Sequence, residues 1–292
     1  MTAGFDAAAS SDPHLFFANL GSGSSGNASV IAWRQHGSPR AILVDLGLSP
    51  RRVRDALAVL GLRPDQVVAA CLTHLDHDHF AKSWGKALRH RSIPVFLHSS
   101  HRDEAVGAGV PEELTRTFED SFAPHDGLEA HGTLARHDEE GSVALRFRFR
   151  HASIGFATDL GAVPDSILEL FAGVDLLAIE SNHCPRLQQA SPRPAFLKRR
   201  IMGGSGHLSN EQAIAAIEAI SRRSHLQHVV LLHLSRQCNC PKLVRSQFAE
   251  RLPHLLPRLA ITRQDAATGP LRIGASRRSE PGVESPGLFE FA

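Results

Sequence analysis

The chain has 292 residues, of which 42% are hydrophobic and 21% are charged, and its formal net charge is +2. This length is enough for one large domain or two small ones with a substantial core. The small net charge neither indicates nor excludes a nucleic-acid partner, because local clustering of basic residues decides that question. No apolar run approaches the ~20 residues of a membrane span. The N-terminal residues lack the basic start and apolar core of a secretion signal.

The cysteines are consistent with a reducing compartment. Their spacing shows no disulfide framework, which predicts a cytoplasmic protein without a membrane partner. The four are Cys71, Cys184, Cys238 and Cys240. Cys238 and Cys240 lack a second cysteine pair with which to close a zinc site, so we interpret them as reduced thiols.

Strand and helix patterns alternate along the first half of the chain. Residues 1–13 are small and polar and are expected to be flexible, and two or three strands then lead to the apolar AILVD of residues 41–45. Ser49 and Pro50 are typical of a helix start and predict a helix to about Leu60. QVVAACLTH, residues 66–74, predicts a buried strand, followed by a helix over about 80–89 and a strand over 93–98. Residues 100–140 predict some helix and irregular loop.

The second half continues the alternation. Four strands are predicted by VALRFRFR, SIGFATD, GVDLLAIES and HVVLLHLS, at residues 143–150, 153–159, 173–181 and 228–235. Ser209 and Gln212 form a capping-box pattern that predicts a helix start, and another helix is expected from about Pro241. Two weak strands follow at 259–262 and 271–274, and residues 276–292 have the composition of a disordered tail. This pattern predicts an α/β domain over residues 14–275.

Polar residues follow the predicted strands, and they are densest in THLDHDHF, residues 73–80. A hydrophilic turn would explain one such residue, but five coordinating side chains within six positions favour a metal site. Residues at i and i+2 that leave a strand face the same side, so His74 and Asp76 can converge on one ion. Two metals in a hydrolytic site need further ligands from elsewhere in the chain. The candidates in suitable positions are His137, Asp159 and His233.

Seven segments resemble, in order along the chain, the metallo-β-lactamase fold hydrolases, and within them the WalJ/YycJ-type group of bacterial exonucleases. They are LGSGSSGNASV (20–30), ILVDLGLSPRRV (42–53), THLDHDHF (73–80), IGFATDLG (154–161), LLAIESNHC (176–184), FLKRRIMGGSGHLSN (196–210) and LLHLSRQCNCPKLV (231–244). The resemblance implies an αββα sandwich with a dinuclear metal site beside the meeting sheets. It also implies a metal-dependent phosphodiesterase that acts on DNA as a 5′-to-3′ exonuclease, through a hydroxide bridging the two metals.

The resemblance also assigns metal ligands. One ion would take His74, the residue at position 76 and a third histidine, for which His137 is our choice and His125 the alternative. The other ion would take Asp78, His79 and His233, with Asp159 bridging the two.

Position 76 departs from the family pattern. The common motif H-x-H-x-D-H has histidine there, whereas this chain has Asp76, followed by His77. Carboxylates bind zinc, but a harder oxygen ligand moves preference towards manganese or iron. The expected cofactors are therefore two divalent ions, Zn²⁺ or Mn²⁺ with iron as a further candidate, and His77 is the alternative ligand.

Other residues are expected around the metals. Asp78 and His207 are the predicted catalytic residues, because His207 lies close to a helix N-terminus that favours anions and can act as a general acid or contact a substrate phosphate. Asn182 and His183 are weaker substrate-binding candidates. Asp45 is expected to brace the metal-binding loop rather than to ligate. The basic clusters Arg146/Arg148/Arg150 and Lys198/Arg199/Arg200 are either solvated faces or contacts to a nucleic-acid backbone.

Two other functions remain compatible with the sequence. The same metal site could hydrolyse a thioester, a lactone, another small ester or a cyclic phosphodiester. With its altered residue 76, the chain could also be a weakly catalytic nucleic-acid-binding or regulatory protein. The complete set Asp78, His79, Asp159 and His233 argues against that loss of activity.

Overall fold

The computed structural model of the protein describes residues 15–274. The predicted flexible lead-in of residues 1–13 and the predicted tail of residues 276–292 lie outside this range. The described part contains fourteen strands: β1 Leu15–Gly21, β2 Ala28–Gln35, β3 Ser38–Val44, β4 Val67–Cys71, β5 Val95–His98, β6 Thr115–Phe118, β7 Ser121–His125, β8 Leu128–Ala135, β9 Ser142–Phe149, β10 Ala152–Ala157, β11 Leu176–Glu180, β12 His228–Leu232, β13 Leu259–Ile261 and β14 Thr268–Ile273. It also contains eight α-helices: α1 Pro50–Val59, α2 Trp84–Arg91, α3 Arg102–Ala108, α4 Asp165–Leu170, α5 Pro185–Ala190, α6 Ala195–Met202, α7 Asn210–Ser221 and α8 Pro241–Arg251.

The strands form two seven-stranded sheets, ordered β14-β1-β2-β3-β4-β5-β6 and β13-β12-β11-β10-β9-β8-β7. In the first sheet β3, β4, β5 and β6 run parallel. In the second sheet β10, β11, β12 and β13 do so. Parallel strands bring their carboxyl ends to the same edge of a sheet. Each sheet therefore has one edge at which the loops after several strands can meet.

Three apolar clusters hold the layers together. Phe17, Trp33 and Phe147 belong to a cluster between the two sheets. A second cluster packs α1, α2 and α3 on the outer face of the first sheet, and a third packs α4, α7 and α8 on the outer face of the second. This four-layer arrangement confirms the predicted αββα sandwich. No helix within residues 15–274 is both long enough and apolar enough to cross a membrane.

Local signals explain the helix starts that were predicted correctly. The Ser49 hydroxyl accepts a hydrogen bond from the Arg52 amide at 3.4 Å, and Pro50 opens α1. At α7 the Ser209 hydroxyl accepts from the Gln212 amide, while the Gln212 side chain accepts from the Ser209 amide at 2.8 Å.

The sequence prediction was wrong in two regions. Helix α2 begins at Trp84 and not near residue 80, because Phe80 and Ala81 are held in a loop. The Phe80 amide donates to Asp76 O and the Ala81 amide to Leu46 O. Residues 115–135, part of the region 100–140 expected to hold some helix and irregular loop, contain β6, β7 and β8. Buried positions alternate with exposed ones in β8, but the small residues Ala130 and Gly132 fill two of the buried positions while Leu134 is exposed, so the sequence hides the alternation that indicates a strand.

Candidate metal centre

The carboxyl ends of parallel strands from both sheets meet at one edge of the sandwich. Asp45 follows β3, and the loop 73–80 follows β4. Asp159 lies just beyond β10, and His233 directly follows β12. Asp45, Asp159 and His233 have positive φ angles of 61°, 53° and 55°. Left-handed backbone at a non-glycine residue costs of order 1–3 kcal/mol and tends to occur at functional sites. Three of the seven non-glycine residues with positive φ in the described part of the chain thus lie where these polar side chains meet.

Histidine and carboxylate groups at this edge form overlapping groups that could hold a metal ion, with ligand atoms within 4.8 Å of one another. The groups are His74/Asp76/His137, His74/His79/Asp159, Asp78/His79/His233 and Asp159/Glu180/His207/His233. Two ligand atoms about 2.1 Å from one tetrahedral zinc lie about 3.4 Å apart. His233 Nε2 is 3.6 Å from Asp78 Oδ2, and His74 Nε2 is 3.9 Å from Asp76 Oδ2. These separations suit shared ligation better than direct hydrogen bonding.

Two buried nitrogens test whether the residues fit a metal. His74 Nε2 and His233 Nε2 are buried and have no hydrogen-bond partner among the described residues. An unsatisfied buried polar group costs about 1–3 kcal/mol, which ligation would remove. Asp159 lies between the groups, with Oδ2 2.7 Å from His79 Nε2 and 4.0 Å from His74 Nε2. The donor set therefore fits divalent cations, with Asp159 at the junction.

The electrostatics of the cluster favour positive charge. Burial lowers the pKa of His79, but the carboxylates of Asp159 and Asp45 outweigh it and leave that pKa well above its usual value. His233 behaves in the same way, again mainly because of Asp159. At His74 burial prevails, and its pKa falls well below the usual value. A bound cation would take the place of the protons on His79 and His233.

Asp45 braces the loop of residues 73–80 on the side away from the cluster. Its Oδ1 accepts hydrogen bonds from the amide and the hydroxyl of Thr73 at 2.9 and 3.0 Å. Its Oδ2 lies 2.8 Å from His79 Nδ1, which leaves Nε2 of that ring directed to the cluster. Such a carboxylate fixes the tautomer and the orientation of a ligating histidine. This is the position that the sequence prediction gave to Asp45.

The glycine-rich segment 21–27 has a part that the sequence did not indicate. Asn27 Nδ2 lies 2.9 Å from His79 Nε2 and 3.2 Å from Asp78 O. The Ser22 hydroxyl accepts a hydrogen bond from the His233 amide at 2.9 Å. One loop thus contacts ligand candidates from both sheets. Only the asparagine that ends the glycine-rich run could have signalled this role.

Glu180 and His207 form a second pair that sequence reasoning only partly identified. His207 Nδ1 lies 2.7 Å from Glu180 Oε1 and 3.0 Å from Asp159 Oδ1. Burial lowers the pKa of His207, but the Glu180 and Asp159 carboxylates outweigh it and raise that pKa to about 9. Glu180 Oε2 accepts the amides of Leu160 and Leu208 at 2.8 and 3.1 Å. Because these contacts occupy both of its oxygens, Glu180 is placed to orient His207 rather than to ligate. Its position at the end of a predicted strand was the available signal.

The two candidates for the third histidine lie in different places. His137 is buried, and its Nδ1 lies 2.9 Å from Gly206 O, so that nitrogen donates and Nε2 is left for the cluster. Its ring centroid is 5.3 Å from that of His74. His125 packs instead on Trp33, with ring centroids 5.9 Å apart. The structure brings His137 and not His125 to the cluster.

Asp76 and His77 differ in exposure and in their position relative to the cluster. The side chain of Asp76 is 52% exposed and that of His77 is 91% exposed. Asp76 joins His74 and His137 in a potential metal group, whereas His77 occurs in none of the groups found in the described residues. The geometry thus favours Asp76 at the place where the family motif has histidine.

The remaining candidates divide between the cavity and the interior. A cavity of about 450 Å³ opens onto the cluster, and Asn182 lines it. The Asn182 side chain donates to His233 O at 2.9 Å. His183 does not line this cavity: its side chain is buried, and its backbone pairs with Ser209, so its position gives no support to the substrate-binding role predicted for it.

Cys240 caps α8 by accepting from the Leu243 amide at 3.4 Å, and Cys238 is buried.

Gly47 sets the close approach of two loops at this centre. A Cβ at this position would lie 1.7 Å from Asp78 O, a distance that requires the backbone to move. Gly47→Ala should therefore lower the free energy of unfolding by about 1–3 kcal/mol and weaken metal binding through Asp78. Gly107→Ala, in α3 with nothing within 4 Å of the added Cβ, is the matched control and should stabilise by about 0.5–1 kcal/mol. Thermal unfolding and metal content check both, and unchanged metal content in Gly47→Ala would contradict the argument.

An αββα sandwich with a His/Asp cluster where its two sheets meet defines a hydrolase of the metallo-β-lactamase fold, with donors suited to divalent metal ions. The chain belongs to the beta-lactamase superfamily, whose domain model matches residues 40–234. It is 26% identical over 241 residues to exodeoxyribonuclease YycJ of Bacillus anthracis, covering 82% of this chain and 89% of the relative. It is 28% identical over 245 residues to exodeoxyribonuclease WalJ of Streptococcus pneumoniae serotype 2, covering 80% and 86%. The crystal structure of the metallo-β-lactamase fold protein YhfI from Bacillus subtilis matches with a TM-score of 0.62 at 15% identity, over 87% of this chain and 99% of that one.

Proposed function

We propose that the protein is a metal-dependent phosphodiesterase that removes nucleotides from DNA in the 5′-to-3′ direction. The observation that carries the proposal is the His207–Glu180 pair beside the His/Asp cluster, on a cavity that Arg193 and Arg200 also line. A phosphodiester needs this combination of a metal-ligand set, a proton donor and cationic side chains. The names of the two bacterial relatives support DNA as the substrate.

We propose two divalent ions per chain. One would be held by His74, Asp76 and His137, and the other by Asp78, His79 and His233, with Asp159 shared between them. The ions would supply a nucleophile at neutral pH and charge neutralisation at the phosphoryl group.

The chain's own residues would position the substrate and move the proton. His207 Nδ1 is held by Glu180, so Nε2 is free to donate to the leaving oxygen at the cavity. Against the effect of burial, the Glu180 carboxylate raises the pKa of His207, and a raised pKa favours the protonated ring that a general acid requires. Arg193 and Arg200 would contact substrate phosphates.

Asp76 should bias the first ion away from zinc, because a carboxylate is a harder ligand than imidazole. Asp76→His should raise the zinc share when the protein is loaded from equal concentrations of zinc and manganese, as measured by elemental analysis. His77→Ala is the control and should leave metal content unchanged, since this exposed ring lies outside the potential metal groups. A loss of metal in His77→Ala would show that His77 ligates in place of Asp76.

The decisive test of the function combines metal analysis with turnover on three substrates. These are duplex DNA labelled at either end, bis-p-nitrophenyl phosphate and a lactone. We expect mononucleotide release from the 5′ end, slower cleavage of the nitrophenyl diester and no lactone turnover. Lactone hydrolysis without DNA cleavage would favour the small-ester alternative, and metal-loaded protein inert on all three would favour a binding or regulatory role.

A further inference from the structure

Helix α6 carries an exposed aromatic side chain beside the candidate metal centre. Phe196 is 67% exposed, and among the exposed large hydrophobic residues of the described chain it alone is aromatic. The neighbouring Leu197 and Ile201 line the cavity, and Ile201 is buried. Helix α6 is therefore fixed against the site by one side while Phe196 stays in solvent.

Phe196 does not line the cavity itself, but its neighbours on and before the helix do. Residues four apart lie on the same side of a helix, so Phe196 neighbours Arg200. Arg193, which also lines the cavity, precedes it by three residues. A strand that enters the cavity along α6 would pass between these arginines and across the phenyl ring.

Four basic residues, Arg193, Lys198, Arg199 and Arg200, lie on α6 or just before it, and most of their charge is available. Arg193 donates to the neutral side chains of Gln237 and Gln188 at 3.1 and 3.2 Å. Arg200 pairs with Asp138. Within residues 15–274, neither Arg199 nor Lys198 forms an ion pair with a carboxylate. This side of the cavity thus retains a net positive charge suited to phosphates.

The adjoining cavity has the opposite character. It has a volume of about 410 Å³, adjoins His74 and Asp76, and is lined mainly by carboxylates, those of Glu104, Asp138, Glu139 and Glu140. Arg200 lines this cavity as well, but it is paired there with Asp138. Because phosphates are repelled from such a surface, an anionic strand is directed to the α6 side.

We propose that Phe196 and the basic residues of α6 form a subsite for single-stranded nucleic acid, in which a base stacks on the phenyl ring and its flanking phosphates contact Arg193 and Arg199. This subsite rests on the proposed nuclease function and adds to it a preference for unpaired ends. A phenyl face accepts any base, so the subsite is tolerant of sequence. The 5′-terminal strand of a duplex would have to separate before it reaches the metals.

Binding of phosphorothioate oligothymidylate, which resists cleavage, tests the subsite by fluorescence anisotropy. Phe196→Ala should weaken binding about ten- to hundredfold, the loss expected for one stacked base. The loss should be much smaller on an abasic oligomer with the same number of phosphates. Phe196→Trp should bind at least as well as the wild type. Arg199→Ala should weaken both oligomers alike. Val106→Ala, at another exposed apolar position (60% exposed), is the matched control and should bind like the wild type.

The outcomes separate the subsite from the function on which it rests. Equal binding by Phe196→Ala and Val106→Ala would overturn the subsite, as would an equal loss on the two oligomers. A wild type that binds oligothymidylate through Phe196 but never cleaves DNA would retain the subsite and refute the nuclease. A wild type that neither binds nor cleaves any oligonucleotide would refute both. Metal content and the unfolding temperature of each variant show that the protein tested is folded.

Discussion

Asp159→Asn should abolish hydrolysis and lower the metal content of the protein. Its carboxylate lies against His79, His207 and His233 and would neutralise two adjacent cations and hold their spacing. Loss of a residue that only hydrogen-bonds to a metal ligand weakens metal binding ~10–100-fold. Loss of a ligand shared by both ions should weaken metal binding more. Asparagine is the informative substitution because, unlike alanine, it tolerates the left-handed backbone of this position. Asp159→Ala should show the same loss with an added cost in stability.

The matched control is Asp126→Asn, the same change at an exposed residue in the turn between β7 and β8. It should retain metal and activity. Elemental analysis and turnover of bis-p-nitrophenyl phosphate provide both readouts. An Asp159→Asn protein that kept full activity with a single ion per chain would refute the dinuclear centre.

His207→Ala should leave metal stoichiometry intact and slow phosphodiester cleavage by the ~10²–10⁴-fold typical of losing a general acid. The loss should shrink on a nitrophenyl ester, whose leaving group hardly needs a proton. Equal losses on both substrates would indicate that His207 binds substrate or stabilises charge instead. A loss of metal would show that His207 is a ligand in the group it shares with Asp159, Glu180 and His233.

Glu180→Gln tests the same proton donation through the residue that orients His207. We expect it to slow cleavage of DNA more than that of the nitrophenyl ester, because the amide holds the His207 ring less firmly. Combined with His207→Ala it should add little further loss, since the two residues act as a unit. Additive losses would mean that Glu180 acts through His233, whose Nδ1 lies 3.3 Å away.

Much of the fold could be predicted because its signals are local. Buried parallel strands such as β4 and β12 are short apolar runs, and the cap at Ser209 needs only Gln212 three residues on. Helices α5 and α6 were not predicted. Each starts beside a proline and spans only six or eight residues, too short for a clear periodicity.

Site residues could be predicted where they follow a strand or match the family motif. The contacts between loops that are distant in the sequence could not be predicted. The contact between Asn27 and His79 joins residues 52 apart in the sequence, and Glu180 reaches His207 across 27. His137 is positioned by a hydrogen bond to Gly206 O, 69 residues away. The sequence around His137 and that around His125 do not show which of the two makes such a contact.

The pairing of β14 with β1 has a consequence for synthesis on the ribosome. Leu15 lies opposite Ile273, so the first sheet is completed by residues that emerge more than 250 positions after it begins. Until then the almost wholly buried β1 is the edge strand of the sheet, and open apolar edges are templates for aggregation; in the finished sheet that edge is β14, where Pro270 cannot donate a hydrogen bond. Contacts so distant in sequence also slow folding. A chain cut short before residue 268 therefore keeps β1 as the edge of its first sheet and should aggregate more readily than the full-length protein.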